Sequence, residues 1–309
     1  MAARRTVIVG TRGSQLALWQ TRHVIGILQQ RFPEIAFQER VIKTSGDGSY
    51  HKSLQSMGGK GLFTREIDEA QLAGKIELAV HSMKDLPVDL PQGLTLAATP
   101  KRVAPHDGFF SAKYASLKDL PQGATVGTGS LRRQAQLRRA RPDAQLKLLR
   151  GNIETRLRKL AEGEYDAIIL AAAGAKRLGM CEHLRCVLPL RIMLPAAGQG
   201  ALAIVSREED QVLWHGLSDI NTERCVRAER AMLAALGGGC HMPVGALGRI
   251  VKGRLSLDGL AAHPESGECI RRRIEGDPRD PEALGKSLGK ELLSAGAKRI
   301  LRNLNEGNL

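Results

Sequence analysis

Two short stretches of this chain have nearly the same form. Gly10-Thr11-Arg12-Gly13-Ser14 and Gly127-Thr128-Gly129-Ser130 each follow a short apolar run and precede a helical pattern. Glycine lets the backbone turn sharply, and serine at a helix start caps it. Each turn then aims backbone N–H groups and a hydroxyl at an anion. A strand–turn–helix unit written twice constrains the chain to α/β folding. If the echo is a true duplication, it also predicts two similar lobes with a central cleft. Chance likeness of two Gly/Thr/Ser turns is the alternative.

The periodicity around the echo agrees with this. Strands are predicted at Thr6–Val9, Ala36–Lys43, Glu77–Val80, Thr125–Thr128, Gln145–Leu149 and Ala167–Leu170. Helical spacing follows Ser14 through Leu16, Leu18, Trp19, Val24, Ile27 and Leu28. Further helices are predicted from Thr64 to about Leu72, over Leu131–Ala140 and Ile153–Ala161, and in the Ala-rich stretch holding Lys176 and Arg177. Strands alternating with helices predict parallel sheets. The stretch from Leu194 to Ile204 is expected to be a crossover strand returning to the first lobe. A third unit begins near residue 220 with a helix over Glu223–Leu236. Strands near 244–250, 254–261 and 269–275 and a last helix from Pro281 to Leu304 complete a small α/β domain with an antiparallel sheet.

The net charge of +14 calls for an anionic partner. Nucleic acid fits poorly, because aromatics are only 3% and offer few stacking platforms. Arg138-Arg139 with Arg141 and Arg271-Arg272-Arg273 are the basic runs, and either can be a solvated face. A pocket for a small polycarboxylate fits better, since the arginine fork matches carboxylate geometry. No apolar run is long enough for a membrane span, and Thr6–Val9 is too short for a signal-peptide core, so a cytoplasmic protein is expected. The five cysteines include no Cys-x-x-Cys pair, which argues against a disulfide framework. Cys181, His183 and Cys186 lack a partner cluster, so no metal is expected.

Candidate chemistry lies at strand ends. Arg12 in the first lobe and Arg132, Arg133, Arg150, Arg156 and Arg177 in the second occupy such positions. Singly, each reads as a solvated side chain; together they read as a carboxylate clamp. Asp85 follows Lys84 at a strand end and can exchange a proton or hold a developing cation, although a salt bridge with Lys84 or a helix cap is equally consistent with the spacing. Residues 45–61 are rich in Gly and Ser and read as a mobile loop. Phe63 at its end could cover a planar ring or staple the next helix. Cys240 sits among Gly237-Gly238-Gly239 and Pro243. That cage suits either a tight turn around a small buried thiol or covalent attachment of something anionic.

These segments together resemble the porphobilinogen deaminase (hydroxymethylbilane synthase) family. The resemblance rests on Gly10–Ser14 with Leu16–Gln20, Gly58–Phe63, His81-Ser82-Met83-Lys84-Asp85, Gly127–Gln134, Leu149–Asn152 and Thr155-Arg156. Leu194-Pro195-Ala196, Gly198-Gln199-Gly200, Ala228-Glu229-Arg230 and Gly239-Cys240 complete it, in order along nearly the whole chain. It implies two lobes like type II periplasmic binding proteins and a third, cofactor-bearing domain. Their bounds are drawn at 1–102 with 197–218, 103–196 and 219–309. It implies a dipyrromethane cofactor on Cys240 through a thioether, and assembly of four porphobilinogen units into hydroxymethylbilane with loss of ammonia. Asp85 matches the catalytic aspartate. Lys84, Ser14, Thr128, Ser130, Arg132, Arg133 and Arg156 match cofactor-binding positions. Arg12, Phe63, Lys60, Arg150, Arg156, Arg177 and Gln199 match substrate-binding positions. A monomer is expected, with no metal, nucleic-acid or membrane partner.

Three positions depart from the family pattern. Ser56 stands where relatives often carry lysine, His106 where a more basic residue is common, and Gly129 where serine is common. The last is expected to loosen the turn. A carboxylate-binding module without catalysis remains a competing reading, but it gives no reason for Cys240 or Asp85.

Overall fold

The computed structural model describes residues 5–45, 64–239 and 242–301. The chain forms two compact units: Ala201–Glu223 joins the part before Val103, and the part from Arg224 joins Val103–Gly200.

The first unit opens with β1 (Thr6–Thr11), α1 (Gln15–Arg31) and β2 (Ala36–Val41). It continues with α2 (Arg65–Leu72), β3 (Leu78–Ser82) and β4 (Leu94–Ala98). The second unit begins with β5 (Asp107–Phe110), β6 (Thr125–Gly127), α3 (Leu131–Ala140) and β7 (Gln145–Lys147). Next come α4 (Ile153–Ala161), β8 (Ala167–Ala171), α5 (Ala172–Arg177) and β9 (Leu184–Val187). The chain then returns to the first unit as β10 (Leu202–Arg207) and the short α6 (Gln211–Trp214).

The two five-stranded sheets have the same plan, β2-β1-β3-β10-β4 and β7-β6-β8-β5-β9. In each, the first three strands are parallel and the fourth is antiparallel to its neighbours. One lobe topology thus occurs twice. It also corrects the expectation of parallel sheets. The exceptions, β10 and β5, directly follow a chain crossing between units. A strand that does not arrive through a helix on its own sheet escapes the right-handed βαβ rule and can run either way. Of the predicted crossover strand at Leu194–Ile204, only the last three residues are strand, since pairing starts at Leu202.

Helix α1 packs through Gln20, Thr21, Val24 and Leu28. Trp19 lies off that stripe, 36% exposed and stacked on His23 with ring centroids 5.0 Å apart. The buried stripe admits Gln20 because its amide meets Ser82 Oγ at 2.8 Å.

The C-terminal part follows the expected pattern closely. α7 (Ile220–Ala235) leads to an antiparallel sheet of β11 (Val244–Val251), β12 (Arg254–Ala262) and β13 (Cys269–Gly276). Lys252 and Gly253, with φ of 48° and 76°, close a two-residue hairpin whose twist suits the strands. α8 (Pro281–Leu292) is continued by a wider helical turn at Leu293–Ala297 and by helical residues 298–301, where the described residues end. The helix is interrupted at Gly296, where φ is 103°. One sheet face buries Leu255, Leu257 and Ala261 with Met232, Leu288 and Leu292.

Helix α8 approaches α7 closely because Gly285 and Gly289 have no side chains. A Cβ on Gly285 would stand 2.3 Å from Ala228 O and 2.7 Å from Ala231 Cβ. Those atoms belong to a helix and cannot swing aside. We therefore expect Gly285→Ala to destabilise the protein by about 1–3 kcal/mol, as overpacking does. A lower urea midpoint checks this; an unchanged midpoint would show that the helices separate at no cost.

Candidate active site

The first unit places two predicted groups at the C-terminal ends of adjacent parallel strands. Beyond β1, Arg12 is half-buried, and Ser14 caps α1 by accepting from the Ala17 N–H at 3.4 Å. Beyond β3, Met83–Asp85 forms a single tight turn. Met83 N–H donates to Ala201 O at 3.1 Å, and Leu86 N–H donates to Met83 O at 3.2 Å. Met83 is buried, Lys84 half-buried, and Asp85 exposed at the tip. The apolar anchor and the two backbone bonds present the Asp85 carboxylate outward.

His81 lies just before this turn and is 6% exposed, with Nε2 lacking a hydrogen-bond partner among the described residues. Burial, reinforced by the nearby charge of Arg12, lowers its pKa to about 4, so the ring is neutral at pH 7. An imidazolium here would be desolvated and next to a guanidinium.

In the second unit, Thr128 is buried beyond β6, and its Oγ1 accepts from the Ser130 N–H at 3.3 Å. Ser130 caps α3 through the Arg133 N–H at 3.5 Å. Gly129 does not loosen this turn. A Cβ there would lie 2.8 Å from Leu149 O, so glycine is what lets the loops after β6 and β7 approach. Arg150 and Arg156 are half-buried, and Arg156 Nε donates to Gly151 O at 2.7 Å. Arg177 Nη2 donates to Gly200 O at 2.9 Å, and burial lowers its pKa to about 10.

Arg132 and Arg133 are engaged differently from the sequence expectation. Both are buried on Asp107, which is fully buried on β5. Arg132 Nη1 donates to Asp107 Oδ2 at 2.9 Å, and Arg133 Nε donates to Oδ1 at 2.9 Å. Gln199 Nε2 reaches the same Oδ1 at 3.1 Å and Pro105 O at 2.6 Å. Burial alone would raise the Asp107 pKa, but the two guanidiniums outweigh it and hold the group at about 2. Sequence reasoning missed this counter-ion. The available signal was a lone carboxylate in the apolar run Gly108-Phe109-Phe110, which burial makes costly unless it is paired.

Among the described residues, Arg132, Arg133 and Gln199 thus share one carboxylate, while Thr128, Ser130, Arg150 and Arg156 lie at neighbouring strand ends. Ser14, Arg12, Lys84 and Asp85 form the corresponding set in the first unit. Cys240, Phe63 and Lys60, with Ser56, lie outside the described residues. No described group of His, Cys, Asp or Glu could hold a metal, and no described helix is long and apolar enough to cross a membrane.

The family model described as "Porphobilinogen deaminase, dipyromethane cofactor binding domain" matches residues 7–215, and "Porphobilinogen deaminase, C-terminal domain" matches residues 223–294. The chain belongs to the porphobilinogen deaminase family. A family member from Desulforudis audaxviator is 48% identical over 98% of this chain and 99% of its own length. One from Thiobacillus denitrificans is 46% identical over 96% of this chain and 98% of its own. Among solved structures, the periplasmic VFT2 domain of Bordetella pertussis BvgS is similar at TM-score 0.42 and 15% identity, over 70% of this chain and 87% of that one.

Two outcomes follow for the family frame. Asp107→Asn leaves two buried guanidiniums on a neutral amide and is expected to cost about 3–5 kcal/mol in unfolding free energy, read from urea titration. A loss under 1 kcal/mol would contradict the pairing. For His81, the folded pKa lies below the unfolded one, so the unfolded state binds more protons between pH 6.5 and 4. Its contribution is complete above that window and is lost as pH falls through it. Wild-type stability should therefore drop about 2 kcal/mol more than that of His81→Asn between pH 7 and 5. Parallel pH dependence in both would refute the assignment.

Proposed function

We propose that this chain joins four porphobilinogen molecules head to tail with loss of ammonia and releases hydroxymethylbilane by hydrolysis, a step of tetrapyrrole biosynthesis. The observation that carries this reading is the placement of Asp85: an exposed carboxylate on a rigid turn, with cationic and hydroxyl groups at matching strand ends of both units.

The donor set fits a dipyrromethane. Lys84 and Arg156, with Ser14, Thr128 and Ser130, are cations and hydroxyls suited to its carboxylates. Arg132 and Arg133 retain N–H donors beyond those Asp107 uses, and we keep both as cofactor-binding positions. Cys240 would carry the group through a thioether. When bound, the dipyrromethane supplies the nucleophilic pyrrole carbon on which the chain grows.

The protein's own residues do the rest. Porphobilinogen that loses ammonia leaves a delocalised cation, and Asp85 is the group to stabilise it and to accept pyrrole N–H bonds. Pre-positioned charge of this kind needs no reorganisation as the cation forms. Arg12, Arg150, Arg156, Arg177 and Gln199, with Lys60 and Phe63, hold the acetate and propionate groups and the incoming ring. Each unit adds charges to match a product that grows more anionic with every addition. With this reading go a three-domain division at 1–102 with 197–218, 103–196 and 219–309, supported by three separate sheets, and a monomer acting in the cytoplasm.

Intact-protein mass spectrometry after expression in a porphobilinogen-producing host tests it. Wild type and Asp85→Asn should both carry a dipyrrole adduct, absent from Cys240→Ser. Asp85→Asn should turn over about 10²-fold or more slowly. An unmodified wild-type mass, or near-normal ammonia release by Asp85→Asn, would overturn the reading in favour of a carboxylate-binding module.

A further inference from the structure

Arg271-Arg272-Arg273 is a basic run that the proposed chemistry leaves unused. Alternate residues of a strand share a face, so Arg271 and Arg273 of β13 point the same way. Asp258 of β12 is directly opposite Arg273, and the β11–β12 register sets Arg249 one step diagonal to Asp258 on that face. The three arginines converge on this one acid. Arg249 Nη2 donates to Asp258 Oδ2 at 2.6 Å, Arg273 Nε donates to Oδ1 at 3.0 Å, and Arg271 Nη2 stands 3.5 Å from Oδ1.

The burial is uneven in an informative way. Asp258 keeps 3% of its side-chain exposure, against 37%, 28% and 56% for Arg249, Arg271 and Arg273. The acid is the floor of the cluster and the guanidiniums are its rim. Three positive charges on one negative leave an excess of two. The neighbouring Arg254–Glu275 pair, 3.9 Å apart, is neutral in sum. Each guanidinium has five N–H donors, and Asp258 takes few of them. Arg271 Nη1 is further anchored on Leu190 O at 2.9 Å. Arg249 Nε is buried with no partner among the described residues. The opposite face of the sheet is covered by α7 and α8, and on this face Leu247, opposite Asp258, and Leu260, opposite Arg271, pack on Ala135 and Leu194. The three guanidiniums form the partly exposed edge of that packing.

Asp258 holds three long side chains in place before any ligand arrives, so little ordering remains to oppose binding. A carboxylate has only two oxygens for such a rim, and Asp258 already fills that role from below. A tetrahedral oxyanion can offer a separate oxygen to each guanidinium. We propose that the rim of Arg249, Arg271 and Arg273 over Asp258 is a binding site for a small multivalent oxyanion of the phosphate class, separate from the residues assigned to porphobilinogen chemistry.

Isothermal titration calorimetry of the full chain with pyrophosphate, at ionic strength held constant with potassium chloride, tests this. One saturable event is expected, weakened at least tenfold in Arg249→Gln/Arg273→Gln and unchanged in Arg150→Leu. In the double variant Asp258 keeps Arg271, so the fold should survive. Arg249→Lys/Arg273→Lys keeps the charge without the fork and should bind at an intermediate level. Pyrophosphate should also raise the wild-type melting temperature where isoionic chloride does not. Absence of saturable binding, equal affinity in either double variant, or loss only in Arg150→Leu would each overturn the proposal, the last by placing the anion in the carboxylate-binding set. Citrate binding as tightly as pyrophosphate would overturn the phosphate-class assignment.

Discussion

Asp107 is a fully buried carboxylate shared by two buried guanidiniums. Charges taken out of water are tolerated only when closely paired and hydrogen-bonded. Satisfying Asp107 therefore dictates where β5, α3 and the segment after Met193 must lie. Arg132 also donates to Leu194 O, and the Gln136 amide takes both polar groups of Leu194, accepting from its N–H at 2.7 Å. Further along, Gly198 N–H donates to Glu229 at 2.6 Å, Gln199 reaches Asp107, and Arg177 holds Gly200 O. The segment before the chain re-enters the first unit is thus held residue by residue.

This frame bears on the site because binding several carboxylates at once requires donors that do not move. A long arginine loses rotamer freedom when it binds, and the loss is smaller if neighbours have already fixed it. Asp107 does this for Arg132 and Arg133, the Gly151 carbonyl for Arg156, and the Gly200 carbonyl for Arg177. Asp258 does the same for three arginines of the C-terminal sheet. The same device, a buried acceptor under a cationic rim, therefore occurs at two places in the second unit. In the first unit the corresponding rigidity comes from the backbone bonds of the Met83–Asp85 turn.

Much of this was legible in the chain. The Gly/Thr/Ser echo foretold two units of one topology, and the strand and helix patterns of the C-terminal part matched within a few residues. Asp85 and the strand-end arginines were legible because they follow apolar runs whose ends are visible. The strands β4, β5 and β9 were not read, being short and without period. The burial of Gln20 was not legible either, because Ser82, far along the chain, satisfies its amide.

Taken alone, the sequence determined the α/β class, the repeated turn, the family and the residues able to do its chemistry. Those follow from local order: period, caps and motifs are properties of neighbours in the chain. Only the tertiary structure decided that β5 and β10 run antiparallel, that Gly129 serves close approach, and that Arg132 and Arg133 answer to Asp107. Each depends on which distant segments meet in a low-dielectric interior, where the cost of an unpaired charge or a clashing Cβ selects the partner.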